Sequence, residues 1–286
     1  MPIIAQNVSY TYGKGTPFEK KALDNISFTI EDGDFIALIG HTGSGKSTLI
    51  QLLNGLLKPD DGSVFVNGAN LSDSKTDLKK IRSTVGIVFQ YPEYQLFEET
   101  VYKDIAYGPA NFGKTPEEIA IIIDDVLPLV GLDADVLQKS PFELSGGQKR
   151  RVAIAGVLAM EPGVLILDEP TAGLDPEGRN DLLMAIKNLH DKTGTTVILV
   201  SHSMEDVANT VEKVMVISDS HLLSFGSVAD VFKDSEAMKS IGLNVPQVTR
   251  VVNHLKQKGI DLGDGIYTVD MAVDAVLRYL KEGGKC

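Results

Sequence analysis

The chain has 286 residues, of which 43% are hydrophobic and 23% are charged, as in a globular protein with a sizeable buried core. Its formal net charge of −12 argues against a protein that mainly coats nucleic acid, because binding the phosphate backbone requires a basic surface. The single cysteine, Cys286, excludes an internal disulfide and indicates a reducing compartment. The first residues lack the pattern of a secretory signal, and no apolar run has the length needed to cross a bilayer.

The first part of the chain predicts strands, a glycine-rich loop and a helix. Ile3–Tyr12 and Ile26–Ile30 alternate apolar and polar residues, which is typical of an antiparallel sheet. Residues 34–40 form a continuous apolar run that ends in glycine, as a buried parallel strand does. Residues 47–57 have helical spacing and stop before a turn with proline and glycine. Further strands are predicted at residues 63–68 and 85–90.

The second part predicts a parallel sheet. Val164–Pro170 and Thr196–His202 are apolar runs of strand length, and residues 178–193 between them have helical period. This alternation is typical of an α/β sheet with right-handed crossovers. Residues 213–226 indicate a closing hairpin. Two more helices are predicted upstream, at residues 116–131 and 144–161.

The character of the sequence changes at about residue 227. Amphipathic helical stretches follow, and the end of the chain predicts a short strand and a last helix. We therefore expect an α/β fold with an N-terminal antiparallel β subdomain, a helical subdomain and a small α+β C-terminal appendage. The expected divisions are a main domain at 1–226, its helical subdomain at about 91–160, and the appendage at 227–286.

One glycine-rich loop predicts a phosphate site. Residues 40–47, GHTGSGKS, match G-x-x-x-x-G-K-[ST] and lie between a predicted strand and a predicted helix, which is the context this motif requires. The glycines let backbone N–H groups point inward, and we expect Lys46 to reach the β- and γ-phosphates and Ser47 to ligate Mg²⁺. A glycine-rich turn with a surface lysine is the alternative, which the flanking elements disfavour. The predicted nucleotide-binding residues of the loop are Gly40, His41, Thr42, Gly43, Ser44, Gly45, Lys46, Ser47 and Thr48.

Two acids follow a predicted strand at VLILDEP. Asp168 lies at the carboxyl end of the apolar run, where the second acid of P-loop enzymes holds Mg²⁺. Glu169 follows directly and is placed to orient the attacking water as general base. Acids that merely end a strand are the alternative, and a P-loop in the same sheet weakens it.

A second anion-binding helix start is predicted at LSGGQ. Ser145 is placed to cap a helix whose first turn contains Gly146, Gly147 and Gln148. One P-loop already wraps one triphosphate, so a second phosphate site in the same chain indicates two subunits head to tail. In that arrangement, each serine–glycine turn closes over the other subunit's ATP.

A P-loop, LSGGQ and LDEP in this order resemble the ATP-binding subunit of an ABC transporter, over roughly residues 3–232. The resemblance implies a role for each matching residue. Tyr12 stacks on adenine, Gln90 senses Mg²⁺ and the attacking water, and Asp175 communicates across the dimer. His202 contacts the γ-phosphate and Glu169.

The stretch FQYPEYQLFEET, residues 89–100, resembles the energy-coupling factor (ECF) transporter ATPases within this family. The P-loop and the residues after it, GHTGSGKSTLIQLLNGLLKP, together with the tail LNVPQVTRVV, resemble the second of their two paralogous types. This likeness implies a heterodimer with the paralogous ATPase, a membrane T scaffold, exchangeable substrate-binding S components and bacterial uptake of a vitamin or metal. It implies ATP and Mg²⁺ as cofactors, no nucleic acid partner, and a peripheral position on the cytoplasmic face of the cell membrane.

The same stretch predicts where a scaffold would dock. Its acids are expected partners for arginines of coupling helices, with the aromatics as apolar walls. The alternative is an ordinary solvated acidic loop. The residues predicted to couple to the scaffold are Glu93, Tyr94, Gln95, Phe97, Glu98 and Glu99.

Other functions remain as alternatives. A soluble ABC ATPase acting on DNA or ribosomes is disfavoured by the net charge, by the single cassette and by the absence of a long coiled-coil insertion. A regulatory nucleotide-binding protein without turnover is disfavoured by the intact set Lys46, Asp168, Glu169 and His202. The appendage is open to two interpretations, a contact between two ATPases or a passive lid.

Overall fold

The computed structural model describes residues 2–281, so Cys286 lies outside the described residues. Its strands form two sheets, one of four strands in the order β2-β1-β4-β5 and one of six in the order β10-β9-β3-β8-β7-β6. The strands are β1 Ile3–Tyr12, β2 Lys20–Ile30, β3 Phe35–Ile39, β4 Asp61–Val66, β5 Ala69–Asn70, β6 Val85–Val88, β7 Val164–Asp168, β8 Thr196–Val200, β9 Lys213–Ser218 and β10 His221–Ser227.

The helices lie between and after these strands. None of them, within residues 2–281, is long and apolar enough to cross a membrane. The helices are α1 Lys46–Leu53, α2 Leu78–Thr84, α3 Val101–Asn111, α4 Pro116–Leu129, α5 Gly146–Leu158, α6 Pro176–Thr193, α7 Met204–Thr210, α8 Val228–Lys233, α9 Ser235–Ser240, α10 Gln247–Gln257 and α11 Val269–Lys281.

The smaller sheet is antiparallel and confirms the alternation read in the sequence. β1 pairs with β2 from Ile3 opposite Ile30 onward, and β1 also pairs antiparallel with β4. One face of this sheet packs with α1 against the larger sheet, because the inward residues of each strand are apolar. The burial of each such side chain contributes about 1.5–3 kcal/mol.

The larger sheet is parallel from β9 to β6, with β10 as its antiparallel edge. β3 and β8 are buried along their whole length, as expected for continuous apolar runs covered on both faces. Because the parallel strands point the same way, the segments after β3, β6, β7 and β8 meet at one edge of the sheet. That edge carries the motifs singled out in the sequence.

The chain between β6 and β7 is helical. α4 begins at a capping box, in which Thr115 Oγ1 accepts from the Glu118 amide and Glu118 Oε2 accepts from the Thr115 amide. α3 and α5 approach closely at a glycine, since a Cβ on Gly156 would lie 3.7 Å from the Asp104 carbonyl oxygen. These helices share one apolar cluster with the covered face of the larger sheet.

The structure confirms the α/β P-loop fold but corrects the appendage. The short strand predicted after residue 264 is wrong, since residues 264–268 form no strand. Gly263 and Gly265 take φ values of +96° and +74°, which interrupt an extended run. The Ile266 carbonyl is bonded by the Thr249 hydroxyl of α10 instead of by a neighbouring strand. Beyond β10, the described residues are therefore helical rather than α+β.

Candidate nucleotide-binding site

The P-loop between β3 and α1 requires glycine at two positions. A Cβ on Gly40 would lie 2.2 Å from the Ile217 carbonyl oxygen. Gly45 has a φ of +114°, and a Cβ there would lie 2.4 Å from the Ala22 carbonyl oxygen. No side chain fits these approaches, so the loop holds its backbone close to the neighbouring strands. This packing leaves the loop amides and the start of α1 as an anion cradle.

Lys46 is the charged residue of this cradle. Its side chain is buried, and its Nζ donates to the Gly40 carbonyl at 2.8 Å and to the His41 carbonyl at 3.1 Å. Burial lowers the pKa of Lys46, although the nearby charges of Glu169 and Asp168 oppose this. The ammonium therefore lies inside the loop, near the predicted general base Glu169 and the predicted metal ligand Asp168.

Two further polar groups lie at this loop. Ser44 Oγ is buried and, among the described residues, has no hydrogen-bond partner, which is unusual unless a ligand or water supplies one. Tyr12 bonds Thr48 through their hydroxyls at 3.2 Å, and its ring is 42% exposed. Tyr10 packs edge-on against Tyr12 with ring centroids 4.9 Å apart. An exposed aromatic face is thus fixed beside α1.

The two acids at the carboxyl end of β7 are Asp168, its last residue, and Glu169, which follows it. Burial raises the pKa of Asp168, and the negative charge of Glu169 adds to this, while Lys46 and His202 oppose it. Glu169 takes a left-handed backbone, with φ of +49°, and its amide donates to the Val200 carbonyl of β8. A left-handed backbone at a non-glycine residue has an energetic cost, which the surrounding bonds offset.

Two predicted site residues, Gln90 and His202, both contact the carboxylate of Glu169. Gln90 Nε2 donates to Glu169 Oε2 at 2.9 Å, and His202 Nε2 lies 2.8 Å from Glu169 Oε1. The three residues follow β6, β7 and β8, which are neighbours in the sheet. The structure thus brings the amide, the carboxylate and the imidazole to one point at the edge that carries the P-loop.

The signature segment, Leu144–Gln148, forms a capping box at the start of α5. Ser145 Oγ accepts from the Gln148 amide, and Gln148 Oε1 accepts from the Ser145 amide. Apart from the adjacent residues and the backbone of α5 itself, no heavy atom of the described chain lies within 4 Å of the Cβ position of Gly146 or Gly147. The first turn of α5 therefore presents an open surface, and none of its hydrogen bonds within residues 2–281 reaches the P-loop. Asp175 caps α6 through the Gly178 amide at 2.7 Å.

Glu93 departs from the prediction that it faces a scaffold. Its carboxylate forms a two-bond ion pair with Arg150, from Nε at 3.1 Å and from the second guanidinium nitrogen at 2.9 Å. The two side chains are only 16% and 4% exposed. The assignment of Glu93 as an acid available to an outside arginine is therefore corrected, because Arg150 already occupies it.

The sequence reasoning missed Arg150, although a signal was present. Arg150, Ile154 and Leu158 recur every four residues on α5, and all three are buried. An arginine on the apolar stripe of a helix indicates a buried partner. That partner is 57 residues away in sequence, so no local pattern identifies it.

The other predicted scaffold residues lie at the surface to different degrees. Tyr94 and Phe97 are 84% and 60% exposed, and Gln95 is also exposed. Glu98 is half-buried, and Glu99 is exposed with an ion pair to Lys103 at 2.6 Å. Beside them lies a groove of about 290 Å³, which is lined mainly by apolar side chains, including Phe97, Tyr107, Phe112, Val157 and Met160.

The fold and these motifs define a P-loop ATPase with a signature helix. The family model described as ABC transporter matches residues 23–172. An energy-coupling factor transporter ATP-binding protein, EcfA2, from Clostridium acetobutylicum is 56% identical over 282 residues, which is 98% of this chain and 99% of that protein. The chain therefore belongs to the ABC transporter family, among its energy-coupling factor ATP-binding proteins, and it binds and hydrolyses ATP.

Two solved structures support the same placement. The structure of cbiO1 from Clostridium perfringens, described as part of the ABC transporter complex cbiONQ, has a TM-score of 0.75 and 36% identity. It covers 88% of this chain and 98% of its own. A dimeric post-hydrolysis state of the ATP-binding cassette MJ0796 bound to ADP and Pi has a TM-score of 0.71 and 29% identity, and covers 79% of this chain and 98% of its own.

Proposed function

We propose that this chain is the ATP-hydrolysing subunit of a bacterial ECF importer and that Glu169 is its general base. The observation that carries the assignment is the meeting of Gln90, Glu169 and His202 at the sheet edge that also holds Lys46. A carboxylate held by two neighbours is positioned before substrate arrives, which reduces the reorganisation that catalysis requires.

The residues at this edge fit a magnesium ion. Ser47, Gln90 and Asp168 offer a hydroxyl, an amide oxygen and a carboxylate, which are the oxygen donors that Mg²⁺ prefers. Within residues 2–281, no group of three or more histidine, cysteine or acidic residues forms a separate metal site. A few protein oxygens completed by water and phosphate are typical of nucleotide-bound Mg²⁺. When bound, the ion would neutralise phosphate charge.

In the proposed mechanism, each motif has a separate task. The P-loop amides and Lys46 hold the phosphates, and Tyr12 supports the adenine ring. Glu169 accepts the proton of the attacking water. Gln90 and His202 each hold one carboxylate oxygen of Glu169 in place. The nearby positive charge of Lys46 opposes the rise in the pKa of Asp168 that burial causes.

We further propose that the signature segment acts in trans. The Cβ positions of Gly146 and Gly147 are open, so the backbone amides at the start of α5 are free to approach a phosphate. Since the P-loop of the same chain is served by other groups, the ATP contacted here belongs to a second ATPase. The dimeric state of the related cassette MJ0796 supports this arrangement. Asp175 would lie in the same interface.

The names of the relatives, an energy-coupling factor transporter ATP-binding protein and a part of the complex cbiONQ, support an assembly. We propose a heterodimer with a paralogous ATPase, docked peripherally on the cytoplasmic face of the membrane to a T scaffold, with exchangeable S components that choose a vitamin or other micronutrient. The exposed Tyr94 and Phe97 beside the apolar groove form the scaffold surface, with Gln95, Glu98 and Glu99 around it. The C-terminal appendage contributes a contact between the two ATPases.

Affinity purification from native membranes tests the assembly. The tagged full-length chain is expected to bring down a second ABC ATPase and a protein with several membrane spans. The recovered complex is expected to hydrolyse ATP in the presence of Mg²⁺. Recovery of nucleic acid or ribosomal proteins in place of membrane partners would contradict the proposal.

A further inference from the structure

Arg150 connects three segments that belong to different motifs. It lies in the second turn of α5, two residues after the signature segment. Its guanidinium holds the Glu93 carboxylate through two bonds. One of its nitrogens also donates to the backbone carbonyls of Pro170 and Ala172, directly after Glu169. A planar guanidinium with five donors is the side chain suited to bond such a set at once.

The bonds of Arg150 flank the catalytic residues on both sides. On the Gln90 side, Arg150 contacts the Tyr91 ring, 6.0 Å from its centroid, and holds Glu93. On the Glu169 side, the Ala172 amide donates to the Glu169 carbonyl and closes a turn. Arg150 bonds the Pro170 and Ala172 carbonyls of this turn.

Both flanking segments contain strained backbone. Tyr91 and Glu169 take φ values of +56° and +49°, which non-glycine residues adopt only when the surroundings impose it. Arg150 is 3% exposed, so its bonds compete little with water. Arg150 is thus a buried side chain that bonds both segments.

We propose that Arg150 is a positioning residue, which fixes the Gln90 and Glu169 segments relative to each other and joins them to the signature helix. A displacement of α5 is then carried to the general base through this guanidinium. The inference rests on the proposed function only in taking Glu169 as that base. Arg150 itself touches none of the reacting atoms.

The test uses the full-length chain, alone and in its ATPase complex. Arg150→Gln is expected to lower kcat about 10- to 100-fold while KM for ATP changes less than about threefold, because a misplaced base slows the chemical step more than it weakens binding. Arg150→Lys keeps the charge, but its three donors on one nitrogen cannot reproduce the four bonds that Arg150 makes from three nitrogens. It is expected to recover only part of kcat, and it serves as the second variant if Arg150→Gln does not fold.

A matched control lies at the opposite edge of the sheet. Lys213 pairs with the largely buried Asp34 at 2.7 Å, at the beginnings of β9 and β3. Lys213→Gln is expected to lower the unfolding temperature while kcat stays within about twofold of the wild type. An Arg150→Gln variant that loses no more kcat than Lys213→Gln overturns the proposal, as does a parallel rise in KM.

A readout without nucleotide separates this inference from the proposed function. In Arg150→Gln, amide hydrogen exchange is expected to increase in peptides covering residues 91–95 and 169–172, with β3 and β8 unchanged. Unchanged exchange in both peptides overturns the positioning role, whether or not the chain hydrolyses ATP. If Glu169→Gln retains full turnover, the base assignment fails, while the exchange result still decides the role of Arg150.

Discussion

His202 Nε2 lies 2.8 Å from Oε1 of Glu169, and the two residues follow neighbouring parallel strands. The contact exists because the carboxyl ends of β7 and β8 lie side by side. A histidine that ends a strand is usually structural, but here its ring reaches the carboxylate beside the P-loop.

Glu169→Gln should abolish turnover and keep ATP binding. The amide has nearly the same shape as the carboxylate but cannot accept the proton of the attacking water. Loss of a general base lowers kcat by about 10²- to 10⁴-fold. Steady-state hydrolysis and equilibrium binding of ATP by the same preparation measure the two effects. Normal hydrolysis by this variant would show that another group is the base.

Gly45→Ala should destroy the P-loop. The added methyl would lie 2.4 Å from the Ala22 carbonyl oxygen and 2.7 Å from a Leu23 methyl, at a φ of +114°. Backbone strain of this kind alone costs about 1–3 kcal/mol, and the clash adds to it. Thermal unfolding and ATP binding should both be impaired. Gly68→Ala is the control, since its φ is also positive but nothing lies within 4 Å of the added methyl.

Gly146→Ala should separate folding from assembly. Apart from the adjacent residues and the backbone of α5, nothing in the described chain lies within 4 Å of the added methyl. Alanine also favours the helix by up to about 1 kcal/mol over glycine. The unfolding temperature and ATP binding of the single chain should therefore be unchanged or slightly improved. Hydrolysis by the ATPase pair should fall, because the methyl stands where a phosphate of the partner site approaches. A pair with normal hydrolysis would remove the in-trans role of this turn.

The sequence predicted which residues meet at this edge of the larger sheet, but not the bonds behind them. Three motifs, the P-loop, VLILDEP and TVILVSH, each place polar residues after an apolar strand. Because these strands pair in parallel, Lys46, Glu169 and His202 meet at the same edge of the sheet. The Glu93–Arg150 pair joins residues far apart in sequence, and its formation depends on how α5 packs. The strand predicted after residue 264 failed for a related reason. Its apolar residues found α10 as a partner instead of a sheet edge.

The Glu93–Arg150 pair predicts a pH dependence of stability. Burial alone would raise the pKa of Glu93, but hydrogen bonds and the charge of Arg150 lower it overall. A pKa lowered in the folded state means that the unfolded chain binds the proton more tightly. The stabilisation is thus complete above the ordinary glutamate pKa and is lost as the pH falls through the lowered value.

Unfolding from about pH 7 down to about pH 3 measures this effect. Glu93→Gln should cost about 1–3 kcal/mol at neutral pH and much less at the acid end of the range. A constant difference across the range would show that the charge of Glu93 does not stabilise the fold. Glu99→Gln is the control, because Glu99 and its partner Lys103 are both exposed.

Tyr94 and Phe97 should connect ATP hydrolysis to transport. Both side chains are exposed, and Phe97 lines the apolar groove. Replacing both by aspartate should weaken scaffold binding by about 2 kcal/mol or more, as is typical of aromatic anchors. Charge reversal at Glu98 and Glu99 should act in the same direction but more weakly, since Glu99 is already paired with Lys103. ATP hydrolysis by the isolated ATPase pair should be retained, while uptake into vesicles is lost. Full uptake by the double aspartate variant would place the docking surface elsewhere on the chain.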